Sequence, residues 1–340
     1  MKLFDKTKIK TKPLAERKSK SDLSIFIDPD TQPPEINQET KEKIKQIAQQ
    51  IIQAKQNNSS VILTFGAHLL KNGLSKIIIE MIKKGYLTHL ASNGATAIHD
   101  WELAFHGKTE EDVRENVLKG EFGTWEETGK YQNQAIQSGA QNNLGYGESI
   151  GKLIQTEQLN NQQILHPNKQ TSILNTTYTN KIPFTIHPCL GQDIIYTHPK
   201  CNFQAIGKTA EIDFLRFTHS VSNLNQGVYL SVGSAILSPM IFEKALSMAR
   251  NVSLQQIPPN PIKDFTIIVN DIQPAGDWDW TSSQDPPKSS PAYYLRFCKT
   301  FHRMGAKEMQ YLQLDNQAFI HNLYHELKNL ENKNAPPQHL

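Results

Sequence analysis

Cysteine is scarce in this chain. Cys189, Cys201 and Cys298 are all that 340 residues contain. An odd, sparse set builds no disulfide framework and suits a reducing compartment. Also missing are the Cys-x-x-Cys and His-Glu-x-x-His spacings by which zinc sites announce themselves. Cys189 and Cys201 flank His187, Asp193 and His198, yet no metal is expected. There is no Gly-x-Gly-x-x-Gly fingerprint and no Walker loop. No apolar run reaches the ~18 residues that a membrane span needs, so no membrane partner is expected. No secretory leader pattern follows Met1, which points to a cytoplasmic protein. An excess of one charge is absent too, the net being +3. The lysines are front-loaded, however: Lys2, Lys6, Lys8, Lys10, Lys12, Lys18 and Lys20 precede any apolar periodicity. Residues 1–37 therefore read as a basic arm. Without interleaved aromatics the arm gives nucleic-acid binding no support.

What is present is an alternation of apolar runs and helical patterns. Gln38–Gln56 sets Ile44, Ile47, Ile51 and Ile52 at helical spacing. Val61–Phe65 is a short buried strand, Gly66-Ala67-His68 turns the chain, and Leu69–Lys84 is helical up to Gly85. A second strand, Tyr86–Ala91, runs into Ser92-Asn93-Gly94 and a new helix. Helical patterns fill Thr109–Gln155. Further strands are expected at Lys181–Ile186, Gly227–Ser231, Phe265–Val269 and Lys307–Leu312. Helices are expected near Lys208–Asn223, Ser238–Asn251, Pro291–Arg303 and after Asp315. This order is that of a single large doubly wound, mostly parallel α/β sheet of Rossmann-like type, with helices on both faces. It would occupy residues 38–330, with 331–340 a flexible tail.

Each expected strand ends in small or polar residues: Gly66-Ala67-His68, Ser92-Asn93-Gly94, the His187 turn, Val232-Gly233-Ser234, the Asn270–Ser290 loop and Asp315. In an open parallel sheet these ends line one edge, where ligands bind. Small side chains at Ser92-Asn93-Gly94 let a ligand approach the backbone. The unpaired N–H groups of the following helix favour an anion there. The bland alternative is a tight strand-to-helix turn with Asp100 as a first-turn charge. The long loop after Asn270 carries Trp278 and Trp280, which argues against simple disorder.

Taken in order, these motifs resemble the deoxyhypusine synthase family over roughly Val61 to Leu327. Phe65-Gly66-Ala67-His68-Leu69 with Gly73 is similar to its first cofactor turn, and Ser92-Asn93-Gly94-Ala95 to its second, with Asp100 on the acid that follows. Leu190-Gly191-Gln192-Asp193-Ile194-Ile195 resembles the segment presenting a polyamine-binding aspartate. Gly227-Val228-Tyr229-Leu230 with Gly233, then Asn270, then Leu314-Asp315 resemble later cofactor contacts. Pro291-Ala-Tyr-Tyr-Leu-Arg-Phe-Cys-Lys299 places a lysine where the family has its nucleophile, and Phe297 where it has a tryptophan.

The resemblance implies an NAD-dependent aminobutyl transferase that takes spermidine or a related amine through an imine on Lys299. A protein lysine is a candidate acceptor, and the assembly a homotetramer. It implies a dinucleotide held by Gly66, Ala67, His68, Ser92, Asn93, Gly94, Gly233, Ser234, Asp271 and Asp315. It also implies a polyamine pocket formed by His99, Asp100, His187, Asp193, Trp280, Tyr293 and Phe297. An imine-forming lysine has to be neutral, which requires desolvation or neighbouring cations. The apolar residues Tyr294, Leu295 and Phe297 offer such a wall; a surface lysine on the same helix is the plain alternative. The chain departs from the family at Tyr293, where a glutamate is usual, at Ile98 and His99, where acids are usual, at Ser238 for a histidine, and in the Trp278-Asp279-Trp280 loop. Three functions follow from the mixture: aminobutyl transfer, a homospermidine synthase-like or agmatine-using reaction on the same scaffold, or a non-catalytic NAD-binding homologue.

Overall fold

Apolar runs buried on both faces pair side by side; five do so here, and a sixth, partly exposed strand joins at one edge. In the computed structural model, which describes residues 1–282 and 284–334, the strands are β1 (Val61–Phe65), β2 (His89–Ser92), β3 (Phe184–Ile186), β4 (Val228–Val232), β5 (Thr266–Asp271) and β6 (Glu308–Gln313). Every residue of β1 to β5 is buried, as a covered parallel sheet requires. The sheet order is β6-β5-β4-β1-β2-β3. Read from β1 outward, this is the 3-2-1-4-5-6 arrangement of doubly wound dinucleotide-binding sheets. The β6–β5, β5–β4 and β4–β1 pairs are parallel. Helices cover both faces.

The helices are α1 (Gln38–Gln56), α2 (Ser75–Lys83), α3 (Gly94–His106), α4 (Glu126–Gln141), α5 (Tyr146–Thr156), α6 (Ile173–Thr179), α7 (Phe203–Ser222), α8 (Leu237–Ser253), α9 (Arg296–His302) and α10 (Asn316–Asn334). The helical run expected over Leu69–Lys84 is two pieces, His68–Lys71 and α2. Gly73, at φ 77°, breaks it in a backbone conformation that ends helices. Thr109–Gln155 likewise divides into Val113–Lys119, α4 and α5. Pro291 opens a short 3-10 turn, Pro291–Tyr294, and the α-helix begins only at Arg296. The last helix runs on to Asn334; residues 335–340 of the expected tail lie outside the described residues.

The chain divides into two compact units, each assembled from separated segments. The second comprises residues 27–65, 72–90 and 218–340 and holds β1, β4, β5 and β6. In it α1 packs on α10 and on the sheet, with Ile44, Ile47, Ala48, Ile51 and Ala54 buried. Ile52, expected on that stripe, is half-buried.

The first unit comprises residues 1–26, 66–71 and 91–217. The basic segment is part of it. Lys12 bridges to Trp125, Leu14 is buried with its N–H on the Glu127 carboxylate, and Ser21-Asp22 pairs with Lys108-Thr109. Between these anchors Arg17 enters the core. Its Nη1 and Nη2 donate to the two oxygens of Glu102 at 2.7 and 2.9 Å, with both side chains only 1% exposed. Thr128 and Thr109 complete the carboxylate at 2.7 Å each. Burial pushes the Glu102 carboxyl up, but the Arg17 charge and these hydrogen bonds hold it below the ordinary glutamate value.

Two more buried acids of this unit sit on helix N-termini. Asp100 accepts from Ser172 Oγ and from the backbone N–H groups of Ile173 and Leu174, capping α6. Asp213 accepts from the N–H groups of Gly147 and Ile186, joining α5 to β3. Burial drives their pKa values up, to about 6 and about 7. Among the described residues no helix is long and apolar enough to cross a membrane.

Breaking a buried ion pair leaves one uncompensated charge, whereas removing both partners leaves none. Arg17→Met is therefore expected to cost ~3–5 kcal/mol in urea unfolding, and Arg17→Met/Glu102→Leu to recover most of that loss. Because the folded-state pKa of Glu102 is depressed, its contribution is complete above the unfolded value, about 4.3. It is lost as pH falls through the lower folded value. Stability curves of wild type and double variant should converge as pH falls through that range.

Candidate functional site

In the second unit the carboxyl ends of the strands form a floor. β1 and β4 run in register to Phe65 and Val232, and the sheet's winding reverses between them. A doubly wound sheet opens its ligand crevice at that reversal. β4 turns at Gly233, whose φ of 56° suits glycine, and whose missing side chain leaves room for Asn316. An added Cβ would lie 2.7 Å from Asn316 Nδ2. Gly233 N–H donates to Asn270 O at 3.0 Å. Asn270 Nδ2 donates to the Leu314 and Leu312 carbonyls at 2.8 and 3.2 Å, tying β5 to the end of β6. Its Oδ1 is buried and has no partner among the described residues. Asp271 Oδ1 accepts from Gln273 N–H, and Asp315 Oδ1 from Gln317 N–H in the first turn of α10. Ser234 Oγ accepts from Ser238 N–H at 3.3 Å. The edge therefore brings together Gly233, Ser234, Asp271 and Asp315, with Asn270 and Asn316 beneath them.

Other expected residues of this unit lie elsewhere. Lys299, on α9, sets its Nζ 3.7 Å from the centroid of the Tyr293 ring. A ring face stabilises the charged ammonium, opposite to what an imine-forming lysine needs. Phe297 is buried and meets the Tyr311 ring at 6.4 Å. Trp280 is also buried, its ring 5.9 Å from that of His302. It lines a cavity of about 470 Å³ together with Glu308 and Met309, at the amino end of β6. The loop after β5 has carried Trp280 away from the carboxyl edge.

In the first unit the turn Ser92-Asn93-Gly94 opens α3. Asn93 caps it, Oδ1 accepting from Thr96 N–H at 3.1 Å, while Ser92 and Thr96 hydroxyls meet at 2.6 Å. Asp193 stands against this turn: a Cβ on Gly94 would lie 2.2 Å from Asp193 Oδ2. Tyr196 donates to Asp193 at 2.7 Å, and the buried Tyr146 hydroxyl, within electrostatic reach, has no hydrogen-bond partner among the described residues. Burial raises the Asp193 pKa against the lowering by Tyr196. No cation pairs with Asp193 among the described residues. The result is a half-buried carboxylate beside a helix mouth, with phenols around it: a recognition point for an ammonium group.

Asp100, expected in a substrate pocket, is committed to capping α6. His187 is buried, with Nε2 2.9 Å from Thr185 Oγ1 and its ring edge-on to Phe217. Burial pushes its pKa down to about 3. Gly66, Ala67 and His68 belong to the first unit, where His68 is exposed and starts the short helix His68–Lys71. His99 faces Thr109. Among the described residues no group of three or more His, Cys, Asp or Glu is placed to hold a metal.

Gly94→Ala is expected to force Asp193 off the helix mouth and to cost about 1–3 kcal/mol in thermal unfolding. Asp193→Gly in the same chain should return part of that loss, because the clash is with its carboxyl group.

The model of the family described as "Arginine dihydrolase ArgZ-like, C-terminal, Rossmann fold" matches residues 45–121. A search of curated protein sequences finds no match. Among solved structures, a conserved putative LOR/SDH protein from Methanococcus maripaludis S2 is 15% identical, with 88% of this chain and 74% of that one covered and a TM-score of 0.50. Unliganded AgrE is 15% identical with a TM-score of 0.52 over 88% of this chain; the chain spans 34% of AgrE's length. A putative deoxyhypusine synthase from Entamoeba histolytica is 10% identical over 71% of this chain and 87% of that one, at a TM-score of 0.41, too distant to support an argument. The chain shares the Rossmann-like α/β fold of the first two.

Proposed function

We propose that the protein is an NAD-dependent enzyme that oxidises a carbon bearing an amino group in a small amine. The observation that carries this reading is the reversal of winding between β1 and β4, with the Gly233 turn and the orphaned Asn270 Oδ1 at its carboxyl edge. An unpaired buried acceptor there suits a ribose hydroxyl or carboxamide donor. Asp271 and Asp315 would accept from ribose hydroxyls, and Gly233 lets the dinucleotide approach the backbone.

When bound, NAD⁺ supplies the hydride acceptor for the oxidation. The chain's own residues bind and orient. Asp193, without a counter-ion, receives an ammonium group of the substrate, with Tyr196 fixing the orientation of its carboxylate. Tyr146 offers a further hydroxyl to that group. The resemblance to deoxyhypusine synthases adds a finer version, in which Lys299 takes over an aminobutyl group from spermidine and passes it to an acceptor amine, in a homotetramer. Its support is the register of Lys299 with Pro291 in the sequence. In that version a polyamine is the donor and a protein lysine a candidate acceptor.

Incubation with NAD⁺ and amines deuterated at the carbon next to nitrogen tests the reading. Deuterium is expected on the reduced nicotinamide, with Asp193→Asn raising KM at least ~10-fold. Absence of both cofactor binding and deuterium transfer would remove the reading. Borohydride reduction in the presence of radiolabelled spermidine is expected to label Lys299 if the transfer version holds; deuterium transfer without label restricts the enzyme to oxidation.

A further inference from the structure

Helix α3 carries a histidine whose proton the structure locates. Glu102 accepts from Arg17 through both oxygens, from Thr128 through Oε1 and from Thr109 through Oε2. A carboxylate kept ionised by a buried guanidinium only accepts, so the Thr109 hydroxyl proton is committed to it. Thr109 Oγ1 then has only lone pairs to offer His99, whose Nδ1 lies 2.7 Å away. Nδ1 is the protonated nitrogen, and Nε2 carries a lone pair. Nε2 has no partner among the described residues, and His99 keeps contact with solvent. Burial pushes the imidazole pKa down to about 4, so it is neutral at physiological pH.

Beside it stand two opposite charges. The helix His68–Lys71 packs against α3, and Lys71 pairs with Glu110 at 3.2 Å. Both charges act on His99. Their side chains are 30% and 19% exposed. Glu110 holds a φ of 67°, a left-handed conformation that non-glycine residues seldom adopt. Its carbonyl accepts from Lys20 N–H, so the basic N-terminal segment grips this corner on two sides, at Arg17 and at Lys20.

We propose that His99, Lys71 and Glu110 form a binding site for an α-amino acid, with Arg17 as the positioning residue that orients His99 through Glu102 and Thr109. This site is distinct from the ammonium point at Asp193 and stands independently of the proposed oxidation. An inserted zwitterion exchanges one internal ion pair for two: its carboxylate meets Lys71, and its ammonium meets Glu110 and donates to the Nε2 lone pair. A simple amine satisfies Glu110 but leaves the half-buried Lys71 ammonium unpaired.

The test uses the full chain, ¹⁵N-labelled at histidine, titrated with proteinogenic L-amino acids and, for each, the amine that remains after removal of the carboxyl group. At least one amino acid is expected to bind and to shift the unprotonated Nε2 signal of His99. Its decarboxylated partner is expected to bind at least ~10-fold more weakly, equivalent to about 1.4 kcal/mol. Thr109→Val is expected to weaken binding by a similar factor and to give a mixture of imidazole tautomers, with NAD⁺ affinity unchanged. His99 protonated at Nε2 in the free protein, equal binding of amino acid and amine, or no amino acid moving the His99 signals would each overturn the proposal. Failure of NAD⁺ to bind, with the His99 shifts present, would remove the oxidation reading and leave this site standing.

Discussion

A carboxylate does not enter a protein core without compensation, and the first unit is arranged around that constraint. Glu102 is neutralised by a guanidinium that arrives from residue 17, far away in sequence. Asp100 and Asp213 take backbone N–H groups at the mouths of α6 and α5. Each acid fixes one helix relative to another segment of its own unit, and at the mouths of α5 and α3 a glycine makes room for a carboxylate. Gly145, where a Cβ would lie 1.8 Å from Asp213 Oδ1, and Gly94 against Asp193 are the plainest cases. Asp193 differs from the other three in having neither a backbone amide nor a cation as partner. A charge left uncompensated in an otherwise compensated unit is the natural place for a ligand's opposite charge.

The second unit expresses a different constraint. A parallel sheet wound in both directions from β1 and β4 leaves a gap where the connecting helices diverge, and its floor is built from strand-end backbone. Asn270 shows how that floor is held: one amide nitrogen stitches two strand ends together, while the oxygen is left unsatisfied. Leaving a buried acceptor unpaired costs roughly 1–3 kcal/mol, a cost that a donor on a bound dinucleotide would offset.

Local patterns made most of the fold legible. The Ile44, Ile47 and Ile51 stripe, the mainly apolar runs such as Val61–Phe65 and the Asn93-Gly94 start of α3 are short-range signals, and the structure follows them. The break at Gly73 is not legible locally, because a glycine inside a helical pattern is often tolerated. The candidate site was legible only where it is sequential, at Ser92-Asn93-Gly94 and Gly233-Ser234. The use of Asp100 as a cap depends on Ser172, and the burial of Arg17 depends on Glu102. Neither pairing leaves a mark in spacing or composition. A basic segment without apolar periodicity reads as an arm, and nothing local to Arg17 reveals that its charge is consumed inside. Trp280 reads as a carboxyl-edge residue because its loop, Asn270–Ser290 in the sequence, starts there; the loop's path to the amino end of β6 is a tertiary fact.

The proposed function requires a nicotinamide dinucleotide across the carboxyl ends of β4 and β5. A crystal structure of the protein soaked with NAD⁺ measures this directly. The dinucleotide is expected over Gly233, with a donor of its own within about 3 Å of Asn270 Oδ1, the ordinary hydrogen-bond distance. A dinucleotide seated at the amino end of β6, beside Trp280, or a carboxyl edge that stays empty at saturating NAD⁺, would contradict it.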